Sequence, residues 1–394
     1  MRVAIRQHDG NVTYCGVLVD AGTREDPADR SGLAHFVEHT LFKGTERRSS
    51  WHISNRMEAI GGELNAYTSK ENTSVYSVAP AGYEERAVEL IADLIANASF
   101  PSHEIDKERI VIGEEINSYL DNPAESVFDK FEENIYKGSP LANNILGSHE
   151  SVGRISGADC RLFIEKYYNP ENMVGFIATP APEAKVLKLL ERHWGRIDRK
   201  GELPQRVVPP PMKQFNIVED EEGHQAHTII GARTFSRKDP RRFALMLMNN
   251  YLGGPGMNSR LNQQLREKRG LVYTADSFVS LLSDTGLLAI YFGTDRKNVD
   301  RCLRLIRNEL DALAQKSLSA RQLEKVKEQY CGQLLVSSDN RESMAMSLGK
   351  NLMFFNKLTD IRSLAERLRE VSAEEIRAVA ELLAPSLCSR ITLM

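Results

Sequence analysis

The 394-residue chain lacks long apolar runs and blocks of like charge. No stretch of 18 consecutive apolar residues occurs, so the sequence predicts no membrane-spanning helix. The 51 basic and 54 acidic residues are mixed along the chain and give a formal net charge of −3. This balance does not indicate nucleic acid or a membrane surface as a partner.

Cysteine is also scarce, and its spacing carries no metal motif. The five cysteines are an odd number without the short spacings of a structural metal site. They are predicted to be ordinary buried thiols in a reducing compartment. The first residues, MRVAIRQHDGNVTYCG, lack the apolar core of a signal peptide. We therefore expect a cytoplasmic protein, although a chain from which a leader had been removed would read the same way.

Proline is concentrated in one stretch, WGRIDRKGELPQRVVPPPMKQF, residues 194–215. Pro204 and Pro209 to Pro211 oppose regular structure there, and the chain is long for a single core. The sequence therefore predicts an N-terminal domain at 1–200, a linker at 201–214 and a C-terminal domain at 215–394.

The two halves resemble one another. EIDKERIVIGEEI (104–116) aligns without gaps with QLEKVKEQYCGQL (322–334), which favours a duplicated unit. Alternating apolar stretches predict strands at TYCGVLVDAG, SVYSVAP, MVGFIATP, HTIIGAR and GLLAIYFG. Amphipathic stretches predict helices at YEERAVELIADLIANA and VDRCLRLIRNELDALAQ. We expect an α+β fold of two duplicated domains, each a mainly antiparallel sheet with helices packed on one face.

The segment SGLAHFVEHTLFKGT, residues 31–45, places three ionisable groups in an apolar turn. On a helix, His35 and His39 lie one turn apart on the same face, with Glu38 to one side. Two neutral imidazoles can share a zinc ion, and an adjacent carboxylate can take a proton from water on the metal. The alternative is a surface helix with these residue types by chance. The apolar neighbours oppose it, because burying unpaired ionisable groups is costly.

A catalytic zinc ion usually has three protein ligands, so a further carboxylate is expected. In SHEIDKERIVIGEEINSYL, residues 102–120, Glu108 and Glu115 fall near the middle of the predicted apolar stripe. The stripe consists of Ile105, Val111, Ile112, Ile116 and Tyr119. Helix geometry does not choose between the two carboxylates as ligand and supporting group, and either could instead pair with an Arg or Lys inside the fold.

The second half provides an internal comparison. Val326 and Gln333 occupy the positions that match Glu108 and Glu115, and no histidine follows His227. A metal site built by the first half would therefore be missing from the second.

HFVEHTLFKGT, followed by ERIVIGEEI, resembles the inverted-motif zinc peptidases, which include pitrilysin, insulin-degrading enzyme and mitochondrial processing peptidase. The resemblance covers nearly the whole chain, in the half-length form of bacterial homodimeric members. It implies that His35, His39 and Glu115 bind one zinc ion per chain. It also implies that Glu38 is the general base and that Glu108 supports the ligands.

Two further segments resemble substrate-binding parts of that family. GGELNAYTSKENTSVYS is similar to its edge strand, which implies that Asn65 and Ala66 pair with an extended peptide. From the residues alone, Asn65 can also be a simple turn residue. SRLNQQLREKRGLVYTADSF resembles the segment whose Arg and Tyr, here Arg266 and Tyr273, stabilise the substrate carbonyl oxygen. Without the resemblance these two would be a solvated helix residue and a strand residue.

The resemblance thus implies a zinc-dependent endopeptidase acting on extended or unstructured peptides. Because one chain supplies two domains, it further implies a homodimer whose chains share their active sites. The alternative is a non-catalytic structural or partner subunit of a heterodimeric peptidase, and a hydrolase of another bond is a third reading. The presence of all four residues of the zinc motif favours the enzyme.

Overall fold

A computed structural model describes residues 1–221 and 223–394. The chain packs into two compact units that are not continuous in sequence. Unit 1 comprises Met1–Ser118, Asn143–Arg206 and Ser338–Thr359, and unit 2 comprises Tyr119–Ala142, Val207–Ser337 and Asp360–Met394. Each unit therefore includes a segment from the half of the sequence that mainly builds the other. Residues 197–215, which hold the predicted linker, contain no helix or strand.

The strands of the described residues form one sheet in each unit. They are β1 (Arg2–Gln7), β2 (Val12–Val19), β3 (Glu63–Thr68), β4 (Thr73–Pro80), β5 (Met173–Thr179), β6 (Asn216–Glu219), β7 (Gln225–Thr234), β8 (Val272–Leu281), β9 (Gly286–Asp295) and β10 (Ser389–Leu393).

The α-helices of the described residues are interspersed with the strands along both halves. They are α1 (Leu33–Leu41), α2 (Ser50–Glu58), α3 (Glu84–Asn97), α4 (Ser102–Leu120), α5 (Pro123–Ile135), α6 (His149–Gly153), α7 (Gly157–Tyr167), α8 (Glu183–His193), α9 (Arg242–Gly253), α10 (Val299–Gln315), α11 (Ala320–Ser337), α12 (Arg341–Phe355), α13 (Ile361–Glu370) and α14 (Ala373–Leu382). A π-helical segment, Asn262–Glu267, precedes β8.

The two sheets have the same topology. Unit 1 has the strand order β1-β5-β2-β4-β3, and unit 2 has the order β6-β10-β7-β9-β8. Counted from the start of each unit, both orders are first-fifth-second-fourth-third. In each sheet the first and fifth strands are parallel and all other neighbours are antiparallel. The predicted α+β class with mainly antiparallel sheets is confirmed, and the repeated order supports the duplication.

The main core of each unit lies between the sheet and the helices on one face. In unit 1, Val17 and Val19 of β2 point into this core with Phe36 of α1 and Leu90 of α3. In unit 2, residues of α9 and α10 pack in the same way against β9. Alternation of side chains along β2 sends the intervening Leu18 to the opposite face.

A single long helix packs on that second face of each sheet. In unit 1, Ala345 and Leu348 of α12 pack against Leu18 and Phe176, and in unit 2 α5 packs similarly against β7 and β10. Gly349 permits the approach, because a Cβ there would lie 2.5 Å from a Leu18 methyl carbon. The interior strand β5, MVGFIAT, is buried throughout, as a strand covered on both faces should be.

Helix α4 differs in one respect from its predicted apolar stripe. Ile105, Ile112 and Ile116 are buried, but Val111 is 49% exposed and Tyr119 39% exposed. Adjacent helical positions point about 100° apart, so turning Ile112 inward leaves Val111 at the surface.

Two predictions about the whole chain can be compared with the structure. Four of the five thiols are buried, Cys388 is half-buried, and all five are free. Among the described residues, no helix has the length and apolar character needed to cross a bilayer.

Candidate metal centre

The start of α1 is fixed by Asp26. Its carboxylate accepts hydrogen bonds from the backbone N–H groups of Gly32 at 2.8 Å, Leu33 at 3.1 Å and Ala34 at 2.9 Å. Without Asp26 the Gly32 and Ala34 donors would be unpaired at the helix start, whereas the Leu33 N–H also donates to the Arg30 carbonyl oxygen at 3.1 Å. Gly32 has φ +89°, and a Cβ there would lie 2.6 Å from the carbonyl oxygen of Leu146. Glycine is therefore required where the chain enters the helix.

His35 and His39 lie on one face of α1, with ring centroids 4.6 Å apart. Glu115 of α4 faces both rings. Its Oε2 atom is 3.8 Å from Nε2 of His35 and 3.7 Å from Nε2 of His39. The three candidate ligand atoms lie within 4.8 Å of one another, and the described residues contain no second group of this kind.

The donor set fits a zinc ion. Ligand atoms about 2.0–2.1 Å from zinc at the corners of a tetrahedron are separated by about 3.3 Å. The distances from Glu115 Oε2 to the Nε2 atoms of His39 and His35, 3.7 and 3.8 Å, are close to that value. Two imidazoles and one carboxylate would leave a fourth position open, as catalytic zinc sites require.

Glu108 lies behind His39. Its Oε2 atom is 3.2 Å from Nδ1 of His39, and its Oε1 atom accepts a hydrogen bond from Nζ of Lys43 at 2.6 Å. An N–H at Nδ1 that donates to Glu108 leaves Nε2 with a free lone pair on the side of Glu115. Burial alone would raise the pKa of Glu108, but the contacts with His39 and Lys43 outweigh it and hold the pKa below its usual value.

The two imidazoles have different electrostatic surroundings. Burial lowers the pKa of His35 to about 3, and the charge of His39 adds to this effect. Burial opposes protonation of His39 too, but the hydrogen bond with Glu108 and the charges of Glu38 and Glu115 raise its pKa overall. His35 is therefore neutral near pH 7, the form that binds metal ions.

Glu38 belongs to the same helix, α1, and lies beside β3. Burial raises its pKa, polar groups of Thr68 and the charge of His39 oppose the shift, and the negative charge of Glu115 adds to it. Glu38 is not among the three convergent ligand atoms. Its carboxylate therefore lies close both to the candidate ligands His39 and Glu115 and to Thr68 of the edge strand β3.

Strand β3 is one of the two edge strands of the unit 1 sheet. At the hairpin that follows it, the Ser69 N–H donates to the carbonyl oxygen of Asn72 at 2.8 Å. Bonded and non-bonded pairs alternate in an antiparallel ladder. The peptide groups of Thr68, Ala66 and Leu64 therefore point away from β4 toward the open edge.

Asn65 lies inside β3, opposite Tyr76 of β4. Its side-chain amide donates to Oε2 of Glu63 at 3.4 Å. By the same alternation, its own peptide groups face β4. Asn65 is thus a strand residue here, next to Ala66, whose peptide groups face the open edge.

Arg266 and Tyr273 belong to unit 2, whereas the convergent histidines and Glu115 belong to unit 1. Arg266 is exposed in the π-helical segment, and its positive charge partly offsets the rise that burial causes in the pKa of Asp276. Tyr273 is 70% exposed, at a bulge near the start of β8, an edge strand of its sheet. Both side chains are therefore open to a ligand.

Sequence reasoning missed Asp26 and Lys43. Lys43 lies four residues after His39, a helical spacing that could have indicated a shared neighbour. Asp26 is six residues before Gly32, too far for a local capping rule to find it.

Sequence reasoning also missed Arg206, whose side chain is 11% exposed. It donates to Asp20 Oδ1 at 2.9 Å, to Glu25 Oε1 at 2.8 Å and to the Glu71 carbonyl oxygen at 2.9 Å. The residue lies in the predicted linker, yet it ties down the loop between β3 and β4.

The chain is similar to known proteins over most of its length. A family model described as insulinase, peptidase family M16, matches residues 2–149, and a second, the peptidase M16 inactive domain, matches residues 154–330. The chain is 31% identical over 368 residues to the uncharacterized zinc protease YmxG of Bacillus subtilis, covering 93% of this chain and 89% of that protein. It is 30% identical over 375 residues to an uncharacterized zinc protease of Streptomyces coelicolor, covering 93% and 81%.

Solved structures show the same fold. A protease from Helicobacter pylori aligns with a TM-score of 0.93 at 20% identity, covering 100% of this chain and 96% of that one. A peptidase M16 inactive domain from Pseudomonas fluorescens aligns with a TM-score of 0.91 at 18% identity, covering 99% and 94%. From the family models and the identity to its relatives, the chain belongs to peptidase family M16, the pitrilysin family.

Proposed function

We propose that the chain is a zinc-dependent endopeptidase that cleaves extended or unstructured peptides. The observation that carries the proposal is the convergence of His35, His39 and Glu115 within 4.8 Å, beside a carboxylate that is not one of them. The relatives named zinc proteases support the same class of activity.

One zinc ion per chain would be held by Nε2 of His35, Nε2 of His39 and a carboxylate oxygen of Glu115. Bound there, zinc supplies a Lewis acid that polarises the scissile carbonyl group and makes water more acidic. Glu108 holds the His39 ring in the orientation that directs Nε2 to the site, through its contact with Nδ1 at 3.2 Å.

Glu38 is the general base in this proposal. Its carboxylate accepts the proton of the attacking water and can return it to the leaving amine.

The open edge of β3 would bind the substrate. An extended peptide can pair with the outward peptide groups of Ala66 and its alternate neighbours, and Asn65 lies next to this ladder. Main-chain pairing needs no particular side chain but does need an unfolded segment. Substrates are therefore extended peptides rather than folded proteins.

We further infer a homodimer in which Arg266 and Tyr273 act on the site of the other chain. They would donate to the carbonyl oxygen as negative charge develops on it. Both residues are exposed and belong to the unit that does not contain His35 and His39, and this supports the assignment.

The direct test is Glu38→Gln. Because the amide cannot accept the proton, peptide cleavage should fall by at least about 10²-fold while zinc content stays unchanged. Zinc would be measured by elemental analysis. Cleavage would be followed by mass spectrometry of a mixed peptide library, with and without a chelator.

Glu114→Gln is the matched control, because Glu114 is exposed on α4 beside Glu115 and faces no ligand. It should retain both zinc and activity. Full activity in Glu38→Gln contradicts the mechanism, and a wild-type chain without zinc favours the non-catalytic partner subunit.

A further inference from the structure

The side chains of β3 alternate between two different surroundings. Leu64 and Ala66 pack against the main core, on the side of α1. Glu63, Asn65 and Tyr67 therefore point to the opposite face, the one on which α12 packs. A peptide added to the edge would extend this alternation, so every second substrate side chain would lie on the α12 side.

Helix α12 supplies polar groups on this second face. Ser74 of β4 donates a hydrogen bond to the Met346 sulfur at 3.5 Å. Burial raises the pKa of Tyr76 to about 12, and the nearby carboxylate of Glu342 adds to the shift. The end of α12 that carries Glu342 thus lies beside the residue that pairs with Asn65.

Lys350 marks the other end of this surface. Its Nζ atom is 5.3 Å from the centroid of the Tyr67 ring, and eight residues, about 12 Å of helix, separate it from Glu342. Within residues 1–221 and 223–394, Lys350 forms no ion pair. The Tyr67 hydroxyl is shielded from solvent and has no hydrogen-bond partner in the described chain. The Lys350 ammonium group is therefore an unpaired positive charge, available to a ligand that binds at this end of the surface.

We propose that Tyr67 and Lys350 form a substrate subsite that selects an acidic side chain. The inference rests on the proposed function, because it requires a peptide to add to β3. Glu38 lies beside Thr68, the residue after Tyr67. At about 3.3 Å per residue, the selected side chain lies within about two residues of the scissile bond.

The charge of the subsite determines its preference. A glutamate or aspartate entering beside Tyr67 meets an unpaired cation, whereas a lysine or arginine is repelled by it. Exposed ion pairs change equilibria only modestly, so attraction and repulsion together predict about a fivefold preference for Glu over Lys. Substrate positions on the α1 side should lack this preference.

The experiment uses the full-length protein and peptides that differ only by Glu, Gln or Lys at single positions around a mapped cleavage site. For the wild type, kcat/KM should be about fivefold higher with Glu than with Lys at one position within two residues of the bond. Lys350→Gln should remove the preference, and Lys350→Glu should reverse it. Lys188→Glu, an exposed lysine of α8, is the charge-matched control and should behave as the wild type.

Each outcome supports or overturns a stated claim. Reversal in Lys350→Glu but not in Lys188→Glu supports the subsite. Equal cleavage of the Glu and Lys peptides by an active wild type overturns the subsite and leaves the peptidase standing, as does a preference that survives in both Lys350 variants. A zinc-loaded wild type that cleaves none of the peptides overturns the proposed function, and the subsite with it.

Discussion

His39 is the residue whose contacts distinguish the two carboxylates of α4. Nδ1 faces Glu108 at 3.2 Å, while Nε2 faces Glu115 at 3.7 Å. The same ring cannot offer one nitrogen to both a hydrogen bond and a metal ion. The geometry therefore supports Glu115 as the ligand and Glu108 as the group that orients the ring.

Glu108→Gln should weaken zinc binding by about 10- to 100-fold, because the neutral amide holds the His39 N–H less strongly and no longer balances Lys43. Competition titration with a chromogenic chelator measures the affinity. Glu114→Gln, on the exposed side of the same helix, should leave it unchanged. Equal affinities in the two variants would argue against the orienting role.

The sequence was sufficient to predict that His35, Glu38 and His39 lie together, because helical spacing alone brings them to neighbouring positions on one helix. Helical spacing could not distinguish Glu108 from Glu115, since seven residues are close to two full turns and bring both to nearly the same side of α4. From the sequence, the family resemblance alone distinguished them. The choice depends on which carboxylate lies opposite which nitrogen of His39, and this is set by the packing of α4 against α1. The contact between Lys43 and Glu108 was missed for the same reason.

The stability of helix α1 depends on the hydrogen bonds at its N-terminus. Asp26→Ala would leave the N–H groups of Gly32 and Ala34 without an acceptor, while the Leu33 N–H keeps the Arg30 carbonyl oxygen. We therefore expect the free energy of unfolding to fall by about 2 kcal/mol or more. Urea denaturation would measure the loss. Asp29→Ala, whose side chain is 64% exposed, should change stability by less than about 0.5 kcal/mol.

Glu84 at the start of α3 predicts a dependence of stability on pH. Burial would raise its pKa, but hydrogen bonds from the Gly82 N–H at 2.7 Å and from Lys185 at 3.0 Å outweigh it and lower the pKa from 4.5. A carboxyl group whose pKa is lower in the folded state stabilises the fold above its unfolded pKa. That contribution is lost as the pH falls through the folded pKa.

Glu84→Gln should therefore be less stable than the wild type at pH 7, and the difference should shrink as the pH falls from about 5 to about 3. Urea denaturation at a series of pH values would show this. Glu183→Gln, an exposed residue of the first turn of α8, serves as the control. A stability difference that does not change with pH would mean that the Glu84 charge contributes nothing.

At the level of elements, the pattern of apolar residues predicted β2, β4, β5, β7 and β9 and the helices α3 and α10. It did not predict that α12 and α5 pack on the second face of each sheet. An amphipathic helix shows that it has an apolar side but does not show which surface covers it. The uniformly apolar MVGFIAT of β5 was the available signal that both faces are covered.

At the scale of the molecule, one topology occurs twice, but the part of the chain that the structure describes has one candidate metal centre. Glu108 and Glu115 of α4 are matched by Val326 and Gln333 of α11, so the second unit keeps the helix without the carboxylates. Duplication thus leaves unit 2 free to contribute other groups. Arg266 and Tyr273, both exposed, are the residues we assign to that role.

The proposed sharing of active sites between two chains predicts complementation. Glu38→Gln lacks the base, and the double variant Arg266→Ala/Tyr273→Phe should lose about 10²-fold or more of its activity for want of the groups that stabilise the carbonyl oxygen. In a mixed dimer, one site would pair an intact Glu38 with an intact Arg266 and Tyr273, and the other site would lack all three. Random exchange makes half of the dimers mixed with one of two sites intact, so activity should return to about a quarter of the wild-type value. Peptide cleavage would be measured after co-incubation of the two variants, with the assembly state followed by light scattering and each variant incubated alone as the control. Dimers that exchange subunits without recovering activity would show that each chain completes its own site.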